Sequence, residues 1–302
     1  MEKHYRFAGV EVTVRIPEEW MYQEDRQLAP FRVERVDHPH VFTFEKRDVL
    51  SEPPEGYPVT IPGMLIYRGE DLTVRYVGAV NSGWENAYLR AEHRDRQHRV
   101  QLLSTGFPGN IGIKPVLNAL EAEHLVTEQN GFIFHCSFIR WNGKAVLFTA
   151  PSQTGKSTQA ELWHLHRDAR IINGDRAVLR LVDGMPRAEG IPFSGSSRYC
   201  ENASLPIAAI VYLKQAPVTT IRRMRGIEAF SRIWEGVSVN TWEKQDLNRV
   251  SDTVGQIVSR VPVFEMPCTP DEQAVRVLEA ALLERFPEHR NPGQAVHPAE
   301  SL

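Results

Sequence analysis

The sequence predicts a mixed α/β (α+β) fold in two parts, a β-rich N-terminal region and a nucleotide-binding core built on a mixed β-sheet, and three observations predict it. Short β-branched or alternating runs dominate the first hundred residues. Beyond them a helical stretch leads into apolar strands joined by hairpin signals. Between one such strand and one such helix lies a loop of the composition that cradles phosphates.

The N-terminal runs are Val10-Glu-Val-Thr-Val-Arg-Ile16, Val41-Phe-Thr-Phe44, Leu72-Thr-Val-Arg-Tyr-Val77 and Val100-Gln-Leu-Leu103, read as strands. Turn-rich stretches such as Ser51-Glu-Pro-Pro-Glu-Gly-Tyr-Pro58 and Asn81-Ser-Gly83 separate them, and no helical periodicity interrupts them. A helix follows residues 109–112, with Val116, Leu117, Leu120, Leu125 and Val126 on one face and Asn130-Gly131 as its C-terminal stop. Next comes a strand from Phe132 to Trp141, the hairpin signal Asn142-Gly143 and a returning strand Lys144–Thr149. Further strands are expected over Arg170–Asp175, Ala177–Val182 and Leu205–Leu213, with a second hairpin at Asp183-Gly184. Two helices are expected near the end, around 226–235 and from Thr269 or Pro270 to about Phe286. Boundaries follow at 1–108 for the β-rich region, 109–286 for the core and 287–302 for a polar tail with little to bury, expected to be disordered.

Composition narrows the function classes. With 302 residues, 42% of them hydrophobic, the chain can bury a real core. Its 35 basic and 38 acidic side chains leave a formal charge of −3, which supplies no global positive field for nucleic acid or an anionic membrane. The longest apolar stretch, Leu205–Leu213, is far short of a membrane span, and the N-terminus carries no apolar secretory segment, so a cytoplasmic protein is expected. The three cysteines, Cys136, Cys200 and Cys268, are too widely spaced for a disulfide framework or a C-x-x-C metal site.

The segment with chemistry is Ala150-Pro-Ser-Gln-Thr-Gly-Lys-Ser-Thr158. Such a loop wraps phosphates with successive backbone N–H groups at a helix N-terminus, while a lysine neutralises the terminal phosphate and a hydroxyl binds Mg²⁺. Gly155, Lys156 and Ser157 take those places, Thr158 completes a hydroxyl pair, and Pro151, Ser152, Gln153 and Thr154 fill the loop. Ala150 stands where the pattern has its first glycine, the least intrusive replacement for it. The implied ligands are ATP and Mg²⁺. An acidic residue at a strand end can hold the metal or accept a proton, and Asp175, about twenty residues beyond Lys156, is the best placed. His135 lies on an apolar strand among Phe132, Phe134 and Phe138, where spacing alone favours a core histidine over a catalyst.

These residues resemble the HPr kinase/phosphorylase and phosphoenolpyruvate carboxykinase-like P-loop group, particularly its small members found beside peptide-modification genes. The match runs from about Leu120 to Leu213 and rests on Phe134-His-Cys136, the Asn-Gly hairpin, Val146–Thr158, Ile172-Asn-Gly-Asp-Arg-Ala-Val178 and Pro192-Phe-Ser-Gly-Ser196. A phosphate loop set among β-strands and hairpins, without repeated β-α-β units, agrees with it. The resemblance implies that Lys156 and Ser157 serve ATP and Mg²⁺, that Asp175 is the second acidic residue of the group's Asp-Asp pair, and that His135 is its histidine before the loop. Two departures limit the transfer: Gly174 replaces the first acidic residue, and the later glycine-arginine-asparagine signature tied to the phosphorylase reaction is missing. Arginine commonly clamps transferring phosphoryl groups, and Arg198 and Arg222 are the two candidates.

The activity expected is ATP-dependent transfer of the γ-phosphoryl group to a Ser or Thr hydroxyl of a protein or ribosomally made peptide. One alternative is a nucleotide-binding regulatory module without transfer, suggested by Gly174. Another is carboxykinase-type small-molecule phosphotransfer, disfavoured because no cluster of metal-binding Lys, His and Asp stands beside the loop.

Overall fold

The computed structural model describes residues 1–18, 20–22, 26–80, 83–106, 110–111 and 113–289. The N-terminal region is a nine-stranded sheet of β1 (Glu2–Phe7), β2 (Val10–Arg15), β4 (Arg32–Val33), β5 (His40–Arg47), β6 (Val59–Ile61), β7 (Met64–Arg68), β8 (Thr73–Gly78), β9 (Ala87–Arg94) and β10 (Gln97–Leu103), in the order β4-β1-β2-β5-β10-β9-β8-β7-β6. Most neighbours are antiparallel, but β5 pairs in parallel with both β2 and β10. β3 (Met21–Tyr22) and β11 (Asn110–Ile111) form a separate two-stranded ribbon.

The second part is a mixed sheet of ten strands: β12 (Gly131–His135), β13 (Ser137–Trp141), β14 (Lys144–Thr149), β15 (Arg170–Asn173), β16 (Arg176–Val182), β17 (Met185–Glu189), β18 (Ser204–Gln215), β19 (Arg222–Met224), β20 (Val237–Ser238) and β21 (Val263–Cys268). Its main path runs β15-β13-β14-β18-β17-β16-β12-β20, and β21 adds to β18 with β19 beyond it. Among the described residues six α-helices accompany the sheets: α1 (Ile113–Ala119), α2 (Ala122–Glu128), α3 (Lys156–Arg167), α4 (Gly226–Trp234), α5 (Lys244–Arg260) and α6 (Glu272–Arg285).

Period-two alternation assigns the sheet its two faces. Along β14, Val146 and Phe148 pack with Trp163 of α3 and with Ala274 and Leu278 of α6, whereas Ala145 and Leu147 face the cluster holding Val250, Val254 and Ile257 of α5. β18 divides in the same way, so its central residues are covered on both sides. Both predicted hairpins form with left-handed residue pairs, φ 46° and 75° at Asn142-Gly143 and 50° and 73° at Asp183-Gly184, as the tight primed turns require. The two parts share a core: Phe42, Leu89 and Val100 of the first sheet belong to one cluster with Val116, Leu125, Ile133 and Val178.

The structure corrects several expectations. The single helix expected before Asn130 is two short ones, because Glu121 adopts a left-handed conformation (φ 50°) between α1 and α2. The strand expected from Phe132 to Trp141 breaks at Cys136, and its halves take different partners, β12 pairing β16 while β13 pairs β14 and β15. Helix α5 was not expected at all. The expected tail keeps its shape through a 3₁₀ turn at Pro287–His289, where the His289 ring packs edge-on against Trp141; the remainder lies outside the described residues. Among the described residues no helix is long and apolar enough to cross a membrane.

A polar contact joins α2 to α5. Nδ1 of His124 lies 2.9 Å from Asp246, and the hydrogen bond to that carboxylate raises the imidazole pKa from 6.5 to about 9. A folded pKa above the unfolded one means that the pair's contribution is complete below about pH 6.5 and is lost as pH rises through about 9. The imidazole is 38% exposed, so solvent screens the effect. Thermal unfolding followed by circular dichroism is expected to show a larger fall in Tm over that window for the wild type than for Asp246→Asn.

Candidate functional site

The candidate site forms where β14 runs into the 150–158 loop and α3. Ala150 takes the first position of the loop without a positive φ, so an L-residue is accommodated there. Two residues further on carry the unusual backbone: Gln153 at φ 63° and Gly155 at φ 114°, the latter a region L side chains rarely enter. Gly155 caps α3, leaving the first N–H groups of that helix without intrahelical acceptors, the arrangement that suits an anion.

Lys156 is buried, 8% exposed, and its Nζ donates to the carbonyl oxygens of Ala150 (3.0 Å) and Pro151 (3.3 Å). Burial lowers its pKa, and the nearby Asp175 charge opposes that shift. Among the described residues no carboxylate lies within ion-pair distance of it, so the loop presents a desolvated cation held only by neutral acceptors. Ser157 and Thr158 sit exposed in the first turn of α3 and face different spaces. Thr158 lines a depression of about 560 Å³ with Gln153, Thr154, Gly155, Gln215 and Thr269. Ser157 lines a cleft of about 230 Å³ with Gly174, Asp175, Ser197, Arg198 and Tyr199.

Asp175 stands in the turn between β15 and β16, and that turn is built from within. The fully buried Asn173 accepts from the backbone N–H groups of Asp175 (2.9 Å) and Arg176 (3.0 Å), while its amide donates to the carbonyls of Ile191 and Phe193. The Asp175 carbonyl accepts from Cys136 N, and the Ser137 hydroxyl donates to the Gly174 carbonyl. His135, whose own N–H donates to Gly236, brings Nε2 to 3.3 Å from Asp175 Oδ1, and Arg176 Nε lies 3.1 Å from Oδ2. The His135 hydrogen bond, followed by the Arg176 charge, holds the Asp175 carboxyl below its ordinary range even though burial opposes this. Two strands remote in sequence thus bring His135 and Asp175 into contact.

The two arginines differ in placement. Arg198 lines the cleft, with its guanidinium over Tyr199 and 3.8 Å from Glu161. Arg222 lies on β19 and is engaged by Glu265 (2.7 Å) and Glu228 (2.6 Å), away from the residues that line the cleft. Asn173, Arg176 and Ser197 escaped the sequence reading. The first two flank Asp175 within the run Ile172–Val178, and that adjacency was the available signal; Ser197 reaches Gly174 only through folding.

The Ser157 hydroxyl and Asp175 carboxylate, hard oxygen donors lining one cleft, together with the buried ammonium and helix N–H groups of the adjoining loop, can hold a phosphate ester with a divalent cation. Residues 116–282 match the family described as SynChlorMet cassette protein ScmC, and the chain belongs to that family. Among solved structures, the Hpr(Ser) kinase/phosphatase from Coxiella burnetii aligns over 52% of this chain and 99% of its own, at 11% identity and a TM-score of 0.32. No curated protein matches the chain.

Proposed function

We propose that the chain is an ATP-dependent kinase with a P-loop core that passes the γ-phosphoryl group to a Ser or Thr hydroxyl of a protein or ribosomally made peptide. The observation that carries this reading is the convergence on one cleft of Ser157, at the start of α3, and an Asp175 carboxylate held by His135 and Arg176. Bound ATP would supply the phosphoryl donor and Mg²⁺ the neutralising charge. Ser157 and Asp175 would hold the ion, both being hard oxygen ligands. Lys156 stabilises phosphate charge from behind the loop, and residues 150–158 cradle the phosphates through their N–H groups. Asp175 takes the proton of the acceptor hydroxyl, His135 orients that carboxylate, and Arg198 is the better placed of the two candidate clamps. Residues 1–108 serve acceptor recognition and 109–286 serve the nucleotide.

A second reading, nucleotide binding without transfer, draws on Gly174. The space that a carboxylate-bearing side chain would need there is filled by Ser197, whose Cβ lies 2.8 Å from where a Cβ on Gly174 would stand. Titration with a fluorescent ATP analogue, and mass spectrometry of candidate acceptor polypeptides after incubation with ATP and Mg²⁺, test both readings. Lys156→Ala is expected to weaken nucleotide binding at least about 30-fold, the loss of a buried charge-assisted contact of ~2 kcal/mol. Unchanged affinity in that variant would remove the loop from nucleotide binding. Binding without transfer to any acceptor would favour the second reading.

A further inference from the structure

A cavity of about 280 Å³ lies where the β7–β8 and β9–β10 turns meet α2 and the start of α5. Its wall is acidic: Glu70 and Asp71 from the first turn, Asp95 from the second, Glu121 and Glu128 at the two ends of α2, and Asp246. The cationic groups in and beneath the lining are engaged: Arg68 by Glu243, the His124 imidazole by Asp246 and, at 3.6 Å, Glu128, and Arg75 by Glu121 at 3.9 Å, which leaves Glu70, Asp71 and Asp95 as the carboxylates in surplus.

The floor is a chain of buried imidazoles whose hydrogens are assigned from one end. Arg75 Nε can only donate, and it donates to His93 Nε2 at 3.0 Å. His93 therefore carries its hydrogen on Nδ1, 3.1 Å from His98 Nδ1, and His98 carries its own on Nε2, 3.1 Å from His40 Nδ1. The last hydrogen falls on His40 Nε2. Burial pushes His93 well below its ordinary pKa and His98 down to about 3, so these two rings contribute no countercharge. His40 is 4% exposed, and its Nε2 makes no hydrogen bond of good geometry, with Glu128 Oε2 standing 3.4 Å away. The cavity thus offers an underused N–H donor beside an excess of carboxylates.

Among the described residues no three metal-ligating groups converge on one point. The carboxylates are instead spread around a space several atoms wide, which matches an extended organic cation that also carries a hydrogen-bond acceptor. A basic residue in a peptide has both, a guanidinium or ammonium group and a backbone carbonyl. Glu121 also lines a second cleft, of about 590 Å³, together with Phe193, Gly195 and Arg176, and Arg176 is the residue that holds Asp175. Glu121 is thus common to the acidic cavity and this cleft, and Arg176 of the cleft contacts Asp175 of the candidate site.

We propose that the cavity between the N-terminal sheet, α2 and α5 binds the guanidinium or ammonium group of a basic residue in the polypeptide acceptor. Identifying the cation with the acceptor rests on the kinase reading; the cation site itself does not. Titration calorimetry of the full chain at low salt, without nucleotide, compares butylguanidinium with its neutral isostere butylurea, and an acetylated arginine-containing hexapeptide with its citrulline counterpart. The charged member of each pair is expected to bind at least about tenfold more tightly. Glu128→Gln is expected to reduce guanidinium binding about tenfold. Asp71→Asn, on the exposed rim where folding is not at stake, is expected to reduce it about threefold. Equal binding of guanidinium and urea overturns the site, as does protection from thermal unfolding by Zn²⁺ but not by guanidinium. An arginine peptide that binds no better than the citrulline peptide overturns its assignment to the acceptor. If guanidinium discrimination holds while ATP neither binds nor transfers phosphate, the kinase reading fails and the cation site stands.

Discussion

Replacing Asp175 with asparagine is expected to lower phosphoryl transfer about 10³-fold while leaving Mg²⁺-free ATP affinity nearly unchanged. Loss of a positioned proton acceptor costs roughly 10²–10⁴ in rate, and Asn keeps the shape of the side chain without its basicity. The His135 hydrogen bond, with Arg176 second, holds the Asp175 carboxyl below its ordinary value of 3.8. Its ionised form therefore persists across the neutral range, and the acidic limb it imposes on kcat is expected below about pH 4. The stability linked to this group has the same sign: present above the unfolded pKa, lost as pH falls through the folded one. His135→Ala separates positioning from chemistry. It is expected to reduce kcat by only about tenfold and to move the acidic limb upward toward the ordinary carboxylate range, which a purely structural histidine would not do. An Asp175→Asn enzyme that transfers phosphate at the wild-type rate would exclude this carboxylate as the proton acceptor.

Gly174→Asp, which recreates an adjacent pair of carboxylates, is expected to destabilise the protein by about 2 kcal/mol. The new Cβ would lie 2.8 Å from Ser197 Cβ, and Ser197 is anchored in turn by its hydroxyl, which accepts from Tyr199 N at 3.1 Å. The new charge would also stand beside Asp175 and raise the pKa of the pair. Ser197→Gly in the same chain is expected to recover most of the loss, and chemical denaturation of the two single variants and the double variant measures the coupling. Additive effects would show that Ser197 does not occupy the space of the absent carboxylate. If the double variant also transfers phosphate faster, a second metal contact is the natural cause.

The legible parts of this chain are those governed by neighbours in sequence. Asn142-Gly143 and Asp183-Gly184 specify their turns within two residues, and the 150–158 loop announces itself through Gly155, Lys156 and Ser157 between an apolar strand and a helix. Helix α5 was missed because Val250, Thr253, Val254 and Ile257 of its buried face are all β-branched and stand among Gly255 and many polar residues; its length and packing outweigh its propensity. The break at Cys136 was invisible for another reason. Apolar and aromatic residues run from Phe132 to Trp141 with no Gly or Pro between them, and only the arrival of β16 beside β12 and of β15 beside β13 divides the strand. The pairing of Arg222 with Glu265 likewise depends on β19 lying beside β21, more than forty residues away.

The split at Cys136 bears on how the site comes into being. β12 and β16 belong to one half of the large sheet and β13 and β15 to the other, and both chains cross between halves at the residues flanking His135 and Asp175. The bond from Cys136 N to the Asp175 carbonyl stitches the two crossings together. The His135–Asp175 contact is set by the β12–β16 pairing, in which His135 lies opposite Arg176, whereas the 150–158 loop follows β14 of the other half, so loop and carboxylate meet only where the two half-sheets join. A local opening that separates the two half-sheets would therefore part the loop from the carboxylate without disturbing either one's own backbone turn.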